Sequence, residues 1–462
     1  MDKYKKLASD TIIFGIGNFG VKLIYFFLMP LYTMALSKEE FGLADLLTNG
    51  LALVMPALTL SIIDAVFRFT LDKDSNPSAL LSNGVRVLAI SYIIVCIAIG
   101  IAYMMIDLPL YWILIAGNYI FESLKSLFAQ FTRALGRVWD FAINGIGSAL
   151  ILFLSTYLLV YHLHGGVNGY ILSFIIAEFA SMVYFCVRVP ILGNIKLNSI
   201  DKALLKQMLI FSIPLIPNTL SWWITNVSSR YIIAGFCGIG AAGLFASASK
   251  LPALMNVFST IFQQSWQFAS VKEYQESTQS SFYGKVFQQY SFLCLLAGTM
   301  MIALVPFISK VVLQGEFYQA WVYSPLLLFS ALLGCYSVFF GTFYTVVKDN
   351  VKTMYTTLIG ATVNILLCLA LIPKLGVDGA LVANVCSYAV IVILRVKDVR
   401  KYVSIEIEVG KLLCGLILCL LQSIFYMYSF TLGIFMSVIS SVFILILNRK
   451  EMKALLIKLN NK

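Results

Sequence analysis

Fourteen long apolar stretches separated by short polar connections dominate the chain. They run at about 11–35, 43–68, 85–106, 110–134, 141–162, 170–189, 208–235, 241–268, 286–307, 322–347, 353–373, 379–395, 412–428 and 431–447. At ~1.5 Å rise per residue, helices of these lengths match the ~30 Å hydrocarbon core of a bilayer. The ~10-residue alternating strands of an outer-membrane barrel are not the pattern here. The expected fold is therefore all-α: a polytopic membrane protein with about 14 transmembrane helices. The first residues, MDKYKKLASD, start basic like a signal peptide, but the apolar run after them is too long for a signal core and carries no small-x-small cleavage site. It reads as an uncleaved first span.

An internal echo organises these segments. Gly166-Val-Asn-Gly169 and Gly376-Val-Asp-Gly379 each open an apolar segment that closes on an arginine, Arg188 or Arg395. A weaker match links Glu40-Phe-Gly-Leu-Ala44 with Ala242-Gly-Leu-Phe-Ala246. Both suggest two six-helix lobes plus a C-terminal helix pair, the lobes in the same orientation as in transporters built from parallel repeats. The expected organisation is an N-lobe at 1–190, a cytoplasmic linker at 191–207, a C-lobe at 208–396, and a final helix pair with tail at 397–462. The tail places Met452, Leu455, Leu456 and Leu459 on one helical face, as for a helix lying on the inner leaflet. No connection exceeds about twenty residues, so there is no room for a separate soluble catalytic domain.

Composition agrees: 60% of residues are hydrophobic, 12% are charged and the mean hydropathy is +0.89. The net charge of +11 is a topology signal and not a nucleic-acid one. Twenty-one of the 33 Lys and Arg lie in the tails and even-numbered connections, and Arg86, Arg133, Arg188 and Arg395 at segment ends beside them, against three in the odd-numbered connections. The positive-inside rule then puts both termini in the cytoplasm. Eight of the nine cysteines lie in apolar segments and Cys237 in a short connection between two of them; there is no C-x-x-C, and they read as small hydrophobes. His162 and His164 read as interfacial side chains, and no metal or cofactor is expected. Gly15-Ile-Gly17-Asn-Phe-Gly20 spells a dinucleotide motif but lies inside a spanning segment, where close helix packing explains it.

The candidate chemistry lies in the charges that interrupt the apolar segments. A charge near a helix centre costs at least ~2.5–3.5 kcal/mol on insertion scales, so it needs a cavity or a partner. Asp64 and Arg68 are four apart and Glu122 and Lys125 three apart, spacings that allow pairing on one face. Lys22, Arg230 and Lys250 have no acid at such spacing. They are the candidates to hold an anion, with Lys125 and Arg68 in support. Glu178, alone on its segment, is the candidate coupling carboxylate for H+ or Na+, followed by Asp64 and Glu122. Asn18, Trp222, Trp266 and Gln263 are candidate sugar contacts. Pro214 and Pro217 predict a kink.

Several of these stretches have a familiar order. Pro214-Leu-Ile-Pro-Asn218, Ser229-Arg230-Tyr-Ile-Ile, Gly243-Leu-Phe-Ala and Lys250 resemble the polysaccharide-export (Wzx-type) oligosaccharide flippases. Pro30-Leu-Tyr-Thr33, Ser37-Lys-Glu-Glu-Phe-Gly42, Ala65-Val-Phe-Arg68 and the two GVxG segment starts extend the resemblance over most of the chain. It implies two six-helix lobes around a central cationic cavity, in a non-enzymatic transporter of the wider superfamily that includes multidrug exporters and lipid II flippases. Its cargo would be a polyprenyl-pyrophosphate-linked oligosaccharide for capsule, exopolysaccharide or O-antigen assembly. That cargo would cross the bacterial cytoplasmic membrane by alternating access, with polymerase or assembly proteins as partners. In related lipid II flippases basic residues on helices one and eight line the cavity, as Lys22 and Lys250 would here. Ser229 departs from the family, which often has aspartate before the arginine. The rivals are a cation-coupled multidrug exporter of the same fold and a membrane polysaccharide polymerase.

Overall fold

The computed structural model describes residues 20–72, 76–195, 201–276, 281–347, 349–403, 405 and 407–452. Asn18 and the tail residues beyond Met452 lie outside them, as do the side chains of Asn218, Trp222 and several residues of 261–281.

The described residues are almost entirely helical, and each of the fourteen apolar segments holds at least one helix. The helices are α1 (Gly20–Ala35), α2 (Lys38–Leu58), α3 (Ile62–Thr70), α4 (Pro77–Met105), α5 (Leu110–Ala134), α6 (Val138–Thr156), α7 (Gly166–Arg188), α8 (Ile191–Asn194) and α9 (Lys202–Ser212). Then follow α10 (Ile216–Cys237), α11 (Ile239–Ala248), α12 (Ala253–Glu276), α13 (Ser281–Val312), α14 (Ser324–Val346), α15 (Asn350–Leu375), α16 (Val377–Val399), α17 (Val409–Tyr428) and α18 (Phe430–Leu447). Among the described residues, eleven helical stretches are long and apolar enough to cross a membrane, and α1 and α11 are shorter apolar helices. The outward face of α4 shows why water is the wrong solvent. Ile90, Ile93, Ile94, Ile97 and Ile101 are each more than half exposed along one stripe. Such a surface belongs against lipid. The protein is a multi-pass membrane protein.

Several expected single helices are broken, each for a local reason. The second segment is interrupted between α2 and α3, where Leu60 and Ser61 adopt left-handed backbone at φ 51° and 48°. The seventh is interrupted by a 3₁₀ turn, Ile213–Leu215, at Pro214. The interruption falls at the first of the two prolines from which a kink is expected. The eighth breaks between α11 and α12, so Lys250 lies in that turn and not inside a helix, a correction to its expected place.

The chain forms two compact units, Met1–Trp223 and Ile224–Lys462. The division falls inside α10, whereas the sequence suggested the connection at 191–207. α9 packs on α3, and Ser212 Oγ donates to the Leu60 carbonyl at 2.7 Å, which ties that segment to the first unit. In the first unit α7 packs along both α5 and α6. Its apolar core near the ends of α3, α5 and α7 includes Val66, Leu81, Leu127, Phe131 and Phe185. The second unit is built around α14, the most buried of its spans, with α12, α13, α15, α16 and α17 against it.

The GVxG echo has a structural counterpart in both units. Gly166 and Gly376 have φ of +55° and +59°, the left-handed region glycine reaches without strain. A Cβ on Gly169 would lie 2.8 Å from the Leu159 carbonyl oxygen, and one on Gly379 would lie 2.6 Å from the Leu371 carbonyl carbon. In each unit the first glycine turns the chain and the second lets the new helix start against the old one.

Candidate functional site

The charges of the first unit gather around α5 and α7. Asn118, Glu122 and Lys125 are spaced i, i+4, i+7 on α5 and so share one face. Lys125 Nζ lies 2.9 Å from Glu178 Oε2 of α7. This corrects one expectation: Lys125 pairs across helices and not with Glu122. Glu178, alone on its own segment, finds its partner on α5. Glu122 acts electrostatically on both partners, and the Tyr25 hydroxyl of α1 is close enough to feel all three charges. Glu178 is 7% exposed, while the Lys125 side chain keeps 26% of its surface. Asn118 is buried, and its Oδ1 accepts no hydrogen bond among the described residues.

Nearby groups fix the frame around this cluster. The Ser37–Glu40 capping box starts α2, and a Cβ on Gly166 would lie 2.7 Å from Glu40 Oε1, so α2 and α7 begin side by side. Tyr32, Thr156 and Ser173 form a buried hydroxyl chain linking α1, α6 and α7. Toward the basic end of α7, Asp140 holds Arg137 at 2.8 Å and Arg188 at 3.6 Å.

Arg68 pairs with Asp72 at 2.6 Å, both side chains about half exposed, instead of with Asp64. Asp64 is exposed on the same helix. Lys22 is exposed on α1. In the second unit Arg230 on α10 is half-buried beside a neutral network. Ser229 Oγ donates to Asn364 Oδ1 at 3.1 Å, and Asn364 Nδ2 donates to Asn384 Oδ1 at 3.4 Å. Lys250 and Gln263 are half-buried.

Trp266 departs from the sugar-platform expectation. It is 2% exposed, its ring stacked at 4.6 Å on Phe339 and flanked by Phe262 and Phe282. Its Nε1 donates to the Phe339 carbonyl at 3.3 Å. Both faces are already covered, so it serves as a packing residue here.

Sequence reasoning missed Tyr25, Asn118 and Arg395. Asn118 could have been found from its spacing to Glu122 and Lys125. Arg395 was read as a boundary arginine, yet it is 4% exposed. It donates through Nη1 to the Ser337 carbonyl at 2.7 Å, Nη2 to Thr357 Oγ1 at 3.0 Å and Nε to Thr356 Oγ1 at 3.1 Å.

No family model matches the chain, and no curated protein does. Solved structures do. Lipid II flippase MurJ, in an inward closed conformation, aligns with a TM-score of 0.68 at 13% identity over 97% of this chain and 99% of that one. An inward-facing multidrug resistance MATE family transporter of the MOP superfamily aligns with a TM-score of 0.66 at 13% identity, over 82% of this chain and 95% of that one. A MOP superfamily transporter from Pyrococcus furiosus, described as having a binding pocket of reverse polarity, gives 0.58 at 13% over 86% and 96%. At these identities the likeness is one of fold: the chain has the polytopic all-α architecture of the MOP superfamily transporters.

Proposed function

We propose that this protein is a flippase that moves a polyprenyl-pyrophosphate-linked oligosaccharide across the bacterial cytoplasmic membrane by alternating access. The observation that carries this reading is the extent of the likeness. The lipid flippase aligns with 97% of this chain, whereas the MATE structures align with 82–86%. The shortfall is about as long as the segment after residue 396. The sign of the intramembrane charge supports the same reading, because Lys22, Lys125, Arg230 and Lys250 are cations suited to an anionic head group. A diphosphate leaving water needs such partners, and each charge-assisted contact contributes about 1.5–3 kcal/mol. In this reading Lys22, Arg230 and Lys250 hold the pyrophosphate, Lys125 and Arg68 assist, and Asn18, Trp222 and Gln263 meet sugar. Both termini are cytoplasmic, and polysaccharide polymerase or assembly proteins receive the product.

The test is transport of a lipid-linked oligosaccharide in proteoliposomes, read by the accessibility of its sugar from the outer face. Lys22→Ala and Lys250→Ala, at matched protein levels, should each slow transport about tenfold or more, the equivalent of one lost charge-assisted bond. Unimpaired transport in both variants would sink the cation model. The MATE likeness and the carboxylates Glu122 and Glu178 favour one second reading, a cation-coupled drug exporter. Transport of cationic dyes, with none of the lipid-linked sugar, would establish it instead.

A further inference from the structure

Two carboxylates face one ammonium within the first unit. Glu178 holds Lys125 at 2.9 Å, and Glu122 lies one turn before Lys125 on the same face of α5. Among the described residues, Glu122 and the Tyr25 hydroxyl also act on Lys125. The Asn118 carboxamide, one further turn along that face, brings a buried acceptor oxygen that no described donor fills. Lys125 is the most accessible member of the pair, at 26% against 10% for the Glu178 side chain.

Removing one partner of a buried ion pair leaves the other charge uncompensated, which is strongly unfavourable. If an outside anion takes Lys125, Glu178 therefore cannot stay as it is. Nothing on α5 or α7 among the described residues supplies it a second cation, and the simplest neutralisation is a proton.

We propose that Lys125 is an anion-binding cation that Glu178 occupies at rest, and that a diphosphate-class oxyanion displaces Glu178 from it with uptake of one proton by the Glu178 carboxylate. The proposal rests on the reading of the cargo as a pyrophosphate-linked lipid and adds the exchange step to it. Lys125 stays an ammonium throughout. The Glu178 carboxylate takes H+ from water and becomes the neutral acid, while Glu122 and Tyr25 exchange no proton. By linkage, whatever the anion does for proton binding, the proton does equally for anion binding. Affinity for the anion must therefore fall as pH rises.

The experiment uses the full-length protein in detergent, with inorganic pyrophosphate as probe. Calorimetric titrations in buffers of different ionisation enthalpy count the protons exchanged. Wild type should take up about one proton more per pyrophosphate than Glu178→Gln does. At alkaline pH Glu178→Gln should bind roughly 5-fold tighter or more, the lower end of typical coupling. Lys125→Met should bind no tighter when combined with Glu178→Gln. Glu122→Gln should keep the extra proton. Equal proton uptake by wild type and Glu178→Gln, loss of the extra proton in Glu122→Gln alone, or no pyrophosphate binding by wild type overturns the proposal. If Glu178→Gln does not fold, the wild-type affinity decides. A dependence on pH no steeper than that of pyrophosphate's own ionisation overturns the exchange. Transport separates the two ideas: a wild type that moves lipid-linked oligosaccharide without the extra proton removes the exchange and leaves the flippase reading. One that binds pyrophosphate with the extra proton but moves no such lipid does the reverse.

Discussion

Replacing Arg395 by lysine should harm this protein more than replacing it by methionine. The guanidinium is 4% exposed in the second unit and its three nitrogens each reach a different neutral oxygen, on α14 and α15. A lysine ammonium keeps the charge but is a single point on a flexible stem, and cannot reproduce a planar fork aimed at three partners. Losing two of three charge-assisted bonds, at about 1.5–3 kcal/mol each, gives about 3–6 kcal/mol of destabilisation. Methionine removes the charge together with its demand for partners. The threonines are not stranded, because Thr356 Oγ1 already donates to the Lys352 carbonyl and Thr357 Oγ1 to the Thr353 carbonyl. The methionine variant should therefore lose only about 1–2 kcal/mol, in line with the near-neutral outcome of replacing buried charges by apolar groups.

The assay is an apparent melting temperature in detergent at one fixed scan rate. For a unit of this size the lysine variant should melt roughly 6 °C or more below wild type, and below the methionine variant. An independent check uses Gly341 on α14, where an added Cβ would overlap Arg395 Nη1. Gly341→Ala should destabilise wild type and should cost clearly less in the Arg395→Met background, a coupling that a double-mutant cycle measures. A lysine variant as stable as the methionine one, or additive effects at 341 and 395, would refute the account.

Three further outcomes follow from the same structure. Trp266→Phe removes only the bond to the Phe339 carbonyl and should leave transport unchanged with about 1 kcal/mol lost, whereas Trp266→Ala empties a stacked core site and should cost about 3–5 kcal/mol; a transport defect in Trp266→Phe at normal stability would restore a sugar role. Ser61→Gly should be neutral or stabilising by up to about 1 kcal/mol in apparent melting temperature, since φ is 48° there, while Ser61→Val should be clearly destabilising; the opposite order would show that the left-handed turn is not strained. Asp140→Asn should loosen both Arg137 and Arg188, seen as faster proteolysis near the end of α7 with little change in global melting, because these arginines are substantially exposed; unchanged proteolysis would show the pairs contribute nothing.

Hydropathy located the eleven candidate spans found among the described residues because the bilayer imposes one length on all of them, whatever their neighbours. The two GVxG turns were legible for a similar reason, since a glycine at positive φ is a local requirement and repeats with the sequence. Side-chain partners were not. Intrahelical spacing offered Glu122 to Lys125, and the structure gives Glu178 of another helix; for Arg68 it takes Asp72, four residues after it, over Asp64, four before. The arginines that close the two echoes make the point most directly. Val-Arg188-Val and Leu-Arg395-Val look alike, yet the Arg188 side chain is 61% exposed beside Asp140 while Arg395 is 4% exposed among hydroxyl and carbonyl oxygens. What buries Arg395 is the missing side chain of Gly341, more than fifty residues away on a facing helix. No local pattern encodes that meeting. A charge inside an apolar segment thus marks the existence of a partner, because the membrane penalises the lone ion. Which partner it has depends on which helix faces meet.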